Sequence, residues 1–279
     1  MIKFKTTCVA LLLCMAAFDS VFAADASVQL VRNATLLIDY GGKKILLDPM
    51  FADKGEFGSW SGEGVTPSVE LPMSIDEITK DLDFVLVTHA HIDHFDDKAA
   101  KALDKTLPIY GHEADYQFFL HKDFWNAESL MDSVKIDNIT IYRTNAQHGT
   151  GSMLKKMGQG SGYILTAPGE PTLYIIGDAV WTQEIYDNIQ RFKPAYIVVN
   201  SGGAIMPGGY NATPIIMDEH QVMSLVQESG NTPVIAVHMD AVDHCKTSRD
   251  ILRKEAKKFN VPASKLIIPK DGEIIMLTD

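Results

Sequence analysis

Phe84-Val85-Leu86-Val87-Thr88-His89-Ala90-His91-Ile92-Asp93-His94 is the stretch that decides how this chain is read. An apolar run of this length with no polar interruption suits a strand buried on both faces. It delivers three imidazoles and a carboxylate straight off its end. Residues two apart on an extended segment project to the same side, so His89 and His91 can grip one ion together. Once the chain turns, Asp93 and His94 point elsewhere and can serve a second ion. Neutral imidazole and carboxylate suit zinc, manganese or iron, and the absence of a nearby cysteine argues against a structural thiolate site. A plain His-rich surface turn would need no such register, and ligand-type side chains left unpaired beside a buried strand are costly.

Outward from this motif, strand-like runs at Val28 to Val31, Thr35 to Asp39 and Lys44 to Asp48 are separated by Asn33 and Gly41-Gly42, the pattern of an antiparallel meander. The Gly-rich, aromatic-dotted stretch from Phe51 to Pro72 is too long for a simple connection. It reads equally as a lid or binding loop and as a surface insert. Ser74-Ile75-Asp76-Glu77 has the form of a capping box, and Asp96-Asp97 should open a second helix with acidic residues at its positive end. Pro108 to Tyr110 and the helical stretch Glu113 to Leu120 complete a first half. Further strands are predicted at Ile139 to Tyr142, Gly162 to Thr166, Thr172 to Ile176, Ala195 to Val199, Pro233 to Val237 and Leu266 to Ile268. Helices fit Thr182 to Phe192, Met217 to Glu228 and Ser248 to Phe259. Two β-then-α halves without a Pro/Ser linker predict one α/β domain over residues 24–279, a four-layer αββα sandwich with helices outside two packed sheets.

The first residues differ in kind. Lys3 and Lys5 precede an apolar stretch from Cys8 to Phe18, and Val21-Phe22-Ala23 offers small residues for cleavage before Ala24, so residues 1–23 read as a secretory signal peptide. The apolar core is shorter than the ~20 residues of a membrane span, and no stable membrane insertion is expected after cleavage. Loss of two lysines and one aspartate with the leader takes the net charge from −11 to −12. Such an acidic protein repels polyanions, which makes nucleic acid an improbable partner. Only Cys245 survives cleavage, so no intramolecular disulfide is available. The expected destination is the periplasm or the exterior. The sequence carries no signal for oligomeric state.

Three further features complete the pattern: an isolated His148 in Gln147-His148-Gly149, then Gly177-Asp178-Ala179 after an apolar run, then His238 after Val234 to Val237. Taken singly, His148 reads most simply as a loop histidine, Asp178 as a possible helix cap and His238 as a core histidine. Together with the first motif, their order and intervals resemble the signature of the metallo-β-lactamase superfamily across essentially the whole mature chain. That resemblance implies that His89, His91 and His148 hold one divalent cation, that Asp93, His94 and His238 hold another, and that Asp178 bridges them. Asp48 matches the family's early supporting aspartate. Within the superfamily, Asp48-Pro49, Gly177 to Trp181 and Met217-Asp218 are similar to the ascorbate-6-phosphate lactonase-like hydrolases.

Two cations about 3.5–4 Å apart can share a water and lower its pKa to roughly 7, which implies a hydrolase using a metal-bridging hydroxide. Zinc is the first choice of metal, with manganese or iron next. Asp93 would orient the water and pass its proton to the leaving group. The expected reaction is cleavage of an ester, lactone or phosphodiester bond of a small molecule; a periplasmic β-lactam hydrolase and a non-catalytic metal-binding protein are the alternatives. His244 is a candidate substrate contact, as are Trp60 and Tyr210-Asn211.

Overall fold

A computed structural model of the chain describes residues 26–206 and 213–278. The leader expected at residues 1–23 and the Tyr210-Asn211 pair lie outside the described residues. The first sheet is built from β1 (Ser27–Arg32), β2 (Thr35–Tyr40), β3 (Lys43–Leu47), β4 (Phe84–Leu86), β5 (Ile109–Gly111) and β6 (Ala127–Ser129). The second contains β7 (Ser133–Ile136), β8 (Ile139–Ala146), β9 (Gly160–Thr166), β10 (Leu173–Ile175), β11 (Tyr196–Asn200), β12 (Val234–Val237) and β13 (Leu266–Ile267), while β14 (Ile274–Met276) returns to pair with β1 in the first. Strands β1 to β3 form the expected antiparallel meander, and β3 to β6 then run parallel. In the second sheet β7 to β10 are antiparallel and β10 to β13 parallel.

Period-two alternation explains the layering. Along β2 to β4, Leu36, Ile38, Ile45, Leu47, Phe84 and Leu86 face the second sheet, while Leu37, Leu46 and Val85 face outward. The outward set packs beneath α1 (Ile75–Thr79), α2 (Asp97–Ala102) and α3 (Tyr116–His121), through Ile78, Ala99 and Phe119. Strands β9 to β12 alternate in the same way. Their outward residues Ile164, Tyr174, Ile197 and Ala236 pack against α5 (Gln183–Phe192), α6 (Glu219–Glu228) and α7 (Arg249–Lys258). α4 (Gly151–Met157) precedes β9. The result is the four-layer αββα sandwich. Strands buried on both faces read as unbroken apolar runs, which is why β4, β11 and β12 were legible.

The capping box of α1 is present, with Ser74 and Glu77 bonding reciprocally, and Asp96 caps α2 by accepting from Ala99 N at 2.6 Å. Glu113 to Leu120 is not one helix: a 3-10 turn at Glu113–Asp115 leads into α3. The long 51–72 segment is tied at both ends by the buried Arg32. Its guanidinium donates to the carbonyls of Met50, Ala52 and Val69 at 2.9–3.0 Å. Across the sandwich, the Tyr163 hydroxyl donates to Val87 O at 2.5 Å, fixing the strand end that leads into the histidine motif. Among the described residues no helix is long and apolar enough to cross a membrane.

Candidate metal centre

The ligand-type residues gather at one edge of the sandwich because each follows a strand. Asp48 comes after β3, His89 to His94 after β4, His148 after β8, Asp178 after β10 and His238 directly after β12. Asp48 and His238 leave their strands with left-handed backbones, φ 46° and 62°, a conformation of real cost for residues other than glycine. Each is held there: Asp48 N donates to Leu86 O at 3.1 Å and His238 N to Asn33 O at 2.8 Å. Gly177 has φ 74°, and a Cβ at that position would lie 2.4 Å from Ser161 O, so only glycine fits the step that presents Asp178.

Three sets of donor atoms converge, each within 4.8 Å of one another: His89, His91 and His148; Asp93, His94 and His238; and His89, His94 and Asp178. Asp178 stands in the middle. Its Oδ2 is 3.3 Å from His94 Nε2, 3.4 Å from His148 Nε2 and 3.8 Å from His89 Nε2, while Oδ1 lies 3.7 Å from His238 Nε2. Asp93 Oδ2 lies 3.4 Å from His238 Nε2 and 3.8 Å from His94 Nε2. All of these residues are buried except His91, which is half-buried.

The inward nitrogens face one another, His89 Nε2 to His91 Nδ1 at 2.9 Å and His94 Nε2 to His238 Nε2 at 3.2 Å. The outward nitrogens have partners of their own. His94 Nδ1 donates to Asp48 Oδ2 at 2.8 Å and His148 Nδ1 to Ile215 O at 3.0 Å, since a carboxylate or carbonyl only accepts. Thr88 Oγ1 gives its proton to Asp48 Oδ2 at 2.6 Å and so accepts from His89 Nδ1 at 3.1 Å. His89, His94 and His148 therefore turn Nε2 inward and keep Nδ1 engaged outward, which leaves Nε2 as the atom each would offer a metal. Asn200 Nδ2 donates to Asp178 Oδ1 at 2.6 Å, Asn33 Nδ2 donates to Asp93 O at 3.1 Å, and Cys245 Sγ lies 3.6 Å from His238 Nδ1.

Burial drives His89 well below and His91 below the ordinary histidine value, and the neighbouring imidazoles add to it. For His94 burial pulls the same way, but Asp178, Asp48 and Asp93 outweigh it and push the ring up to about 10. His238 is likewise held well above its usual value against burial, chiefly by Asp178. Burial would raise Asp93 and Asp178, yet His94 and His238 hold both carboxyls far below the usual range. Among the described residues no Lys or Arg pairs with Asp48, Asp93 or Asp178. Among the described residues the raised His94 and His238 rings balance these buried carboxylates, and a divalent cation taking the place of their inward protons would supply that positive charge instead.

Beside the cluster lies a cavity of about 320 Å³, lined by His91, Asp93, His148, Asp178 and His244 together with Trp60, Ile92, Met157, Met206 and Ile215. The 51–72 segment thus does reach the site. Phe57 stacks on Trp60 at 5.9 Å, and Trp60 packs on His244 at 5.1 Å. The Asp243 carboxylate holds this segment by accepting from Ser59 Oγ at 2.5 Å, from the Trp60 and Ser61 amides at 3.0–3.2 Å, from Ser61 Oγ at 3.0 Å and from Thr66 Oγ1 at 3.1 Å. Burial holds His244 below the ordinary histidine value, against the pull of Asp93, Asp178 and Asp243. A larger groove of about 670 Å³, between α7 and the β13 edge, contains none of the cluster.

Sequence reasoning did not pick out Asn33, Asn200, Asp243 or the contact of Cys245 with His238. Asn200 could have been found, since a polar residue ending the apolar run Tyr196 to Val199 is the same signal that marks Asp48 and Asp178. His112 caps the 3-10 turn by accepting from Ala114 N at 2.9 Å, and His121 and His220 are exposed.

A four-layer sandwich carrying this His/Asp cluster at its strand ends defines a metallo-β-lactamase-fold hydrolase. The chain belongs to the beta-lactamase superfamily domain family, whose pattern matches residues 43–239. It is 34% identical over 253 residues, 88% of this chain and 98% of the relative, to the UPF0173 protein YddR of Bacillus subtilis (strain 168). Among solved structures it resembles a possible metal-dependent hydrolase from Veillonella parvula DSM 2008, with TM-score 0.85 and 34% identity over 91% of this chain and all of that one. It also resembles an isothiocyanate hydrolase from Delia radicum gut bacteria, with TM-score 0.82 and 34% identity over 89% of this chain and 98% of that one. The protein is a metal-dependent hydrolase.

Proposed function

We propose that the protein is an exported, dinuclear metal-dependent hydrolase of small, uncharged, apolar electrophiles, with isothiocyanates as the first candidate class. In this reading His89, His91 and His148 hold one divalent cation, zinc first, Asp93, His94 and His238 hold the second, and Asp178 bridges them. The cavity beside the cluster carries the substrate assignment: its outer wall is Trp60, Ile92, Met157, Met206 and Ile215, with no Lys or Arg among the described lining residues. Beyond the metals themselves, a phosphodiester or phosphorylated sugar entering it would find no cationic side chain among the described lining residues. An apolar R–N=C=S molecule fits such walls, including the polarisable thioethers of Met157 and Met206. The similarity to the isothiocyanate hydrolase supports the same class.

Two bound divalent cations would supply Lewis acidity and acidify the attacking water. Hydrolysis then adds the water oxygen to the central carbon and a proton to nitrogen, giving R–NH–C(=O)–SH, which separates into R–NH2 and carbonyl sulfide. The Asp93 carboxylate, ionised and at the cavity wall, accepts the water's proton and returns it to the substrate nitrogen. Asp48, Asn200 and Asn33 fix the orientations of His94, Asp178 and the Asp93 loop through the bonds described above.

The test is hydrolysis by zinc-loaded protein of benzyl isothiocyanate, a γ-lactone, a bis-aryl phosphodiester and a cephalosporin, each with and without chelator, alongside the Asp93→Ala variant. Amine release from the isothiocyanate that chelator abolishes and Asp93→Ala nearly abolishes is expected. Turnover confined to the phosphodiester or the cephalosporin refutes the substrate assignment. Export rests on the leader reading of residues 1–23: N-terminal sequencing of protein recovered from outside the cytoplasm should begin at Ala24, and an intact Met1 terminus there refutes it.

A further inference from the structure

We propose that His244 is the substrate-orienting residue of this site, its imidazole N–H donating a hydrogen bond to the acceptor atom of an apolar ligand packed on Trp60. The inference rests on the reading of the cavity as the substrate site. His244 lines that cavity beside His91, Asp93, His148 and Asp178, yet belongs to none of the three converging donor sets. It is therefore an imidazole at the reaction centre without a metal-ligand position.

The ring is 5% exposed, and its Nδ1 is sealed from solvent with no hydrogen-bond partner among the described residues. A buried N–H left unpaired is rarer than an unpaired acceptor, so the tautomer with Nδ1 as the bare lone pair is favoured. That tautomer carries its proton on Nε2, and the ring makes no side-chain hydrogen bond to another described residue that would consume it. Most buried histidines are satisfied by the protein; one left open at a cavity wall is free for a ligand.

Its neighbours immobilise it. Asp243 ties down the 59–66 segment that carries Trp60, Trp60 packs on the ring, and the next residue, Cys245, is anchored by its contact with His238. The Ile205 amide donates to the His244 carbonyl at 3.0 Å, fixing the backbone as well. A pre-positioned donor over an apolar wall selects ligands with an acceptor at one end and a hydrophobic body at the other.

The discriminating measurement is calorimetric titration of the zinc-loaded protein with phenylacetonitrile, which carries a nitrogen acceptor, and with 3-phenylpropyne, a near-isostere without one. Wild type is expected to hold the nitrile about tenfold more tightly. His244→Ala should lose that preference at unchanged zinc content, and His244→Gln, whose amide restores an N–H, should regain most of it. Equal affinities in wild type, failure of the nitrile to bind, or a preference that survives in His244→Ala overturns the proposal. In parallel, His244→Ala should lower kcat/KM for benzyl isothiocyanate about tenfold. A wild type inactive on isothiocyanates would sink the substrate class, whereas the nitrile comparison decides the role of His244 in either case.

Discussion

Asp48→Asn separates the orientation of a ligand from its presence. The wild-type carboxylate accepts from Thr88 N at 2.7 Å on Oδ1, and from Thr88 Oγ1 at 2.6 Å and His94 Nδ1 at 2.8 Å on Oδ2. An asparagine has one acceptor oxygen, and the backbone amide of Thr88 cannot turn away, so the oxygen stays opposite it and the NH2 group takes the place of Oδ2. The Thr88 hydroxyl can rotate to accept. His94 can satisfy the new donor only by moving its proton from Nδ1 to Nε2, and that proton then occupies the lone pair aimed at Asp93, Asp178 and His238. Removing such a support costs about 10–100-fold in metal affinity, or roughly 1.4–2.8 kcal/mol. The assay is competition for zinc against a chromophoric chelator, with cooperative urea unfolding of the metal-free variant as the control for folding. Zinc affinity within about twofold of wild type, in a variant that still unfolds cooperatively, would refute the claim that Asp48 sets the tautomer of His94.

Gly177→Ala should destabilise the metal-free protein by about 3 kcal/mol in urea unfolding, because a Cβ there meets Ser161 O at 2.4 Å and the backbone is left-handed. A loss below about 1 kcal/mol would mean that the turn yields easily. Lys265 supplies a pH test away from the cluster. Burial drops its ammonium to about 8 from the usual 10.5, although Nζ donates to Ser229 Oγ at 2.7 Å and to Thr232 O. Between those values the unfolded chain holds a proton that the folded protein has released, so stability should rise with pH across about 8 to 10.5. Lys265→Met should flatten that slope relative to wild type in chemical denaturation at pH 7.5, 9 and 10; an identical slope in the variant would refute the assignment.

Much of the architecture was legible because double-sided burial and short connections leave plain marks. Phe84 to Val87 and Val234 to Val237 could be little other than strands of a covered sheet, and the Ser74 and Asp96 caps announced their helices. β6, β7, β14 and α4 were not anticipated: Ala127–Ser129 and Ser133–Ile136 are short edge-side strands rich in polar residues, and Gly151–Met157 opens on a glycine. Tertiary pairing, rather than local pattern, makes them. In the site, Asp48, Asp178 and His238 were visible because they end apolar runs, and the loop residues His148, His244 and Trp60 were singled out as well, whereas Asn33 and Asp243 were not. Nothing in Ala241-Val242-Asp243-His244 announces that Asp243 reaches back to Ser59, Trp60, Ser61 and Thr66, because that bond network exists only once the 51–72 segment has folded across the cavity.

His89 to His94 hang from the first sheet, and His148, Asp178 and His238 from the second. Each proposed ion would therefore be a rivet through the sandwich. His94 and His238 are 144 residues apart in sequence, so fastening them closes a longer loop than most disulfides do, and Cys245 is the one cysteine among the described residues. Such a fastening slows the parting of the two halves rather than stiffening either alone. Demetallated protein should then lose amide-exchange protection in both inner faces at once, with the sandwich opening like a book instead of fraying at its loops.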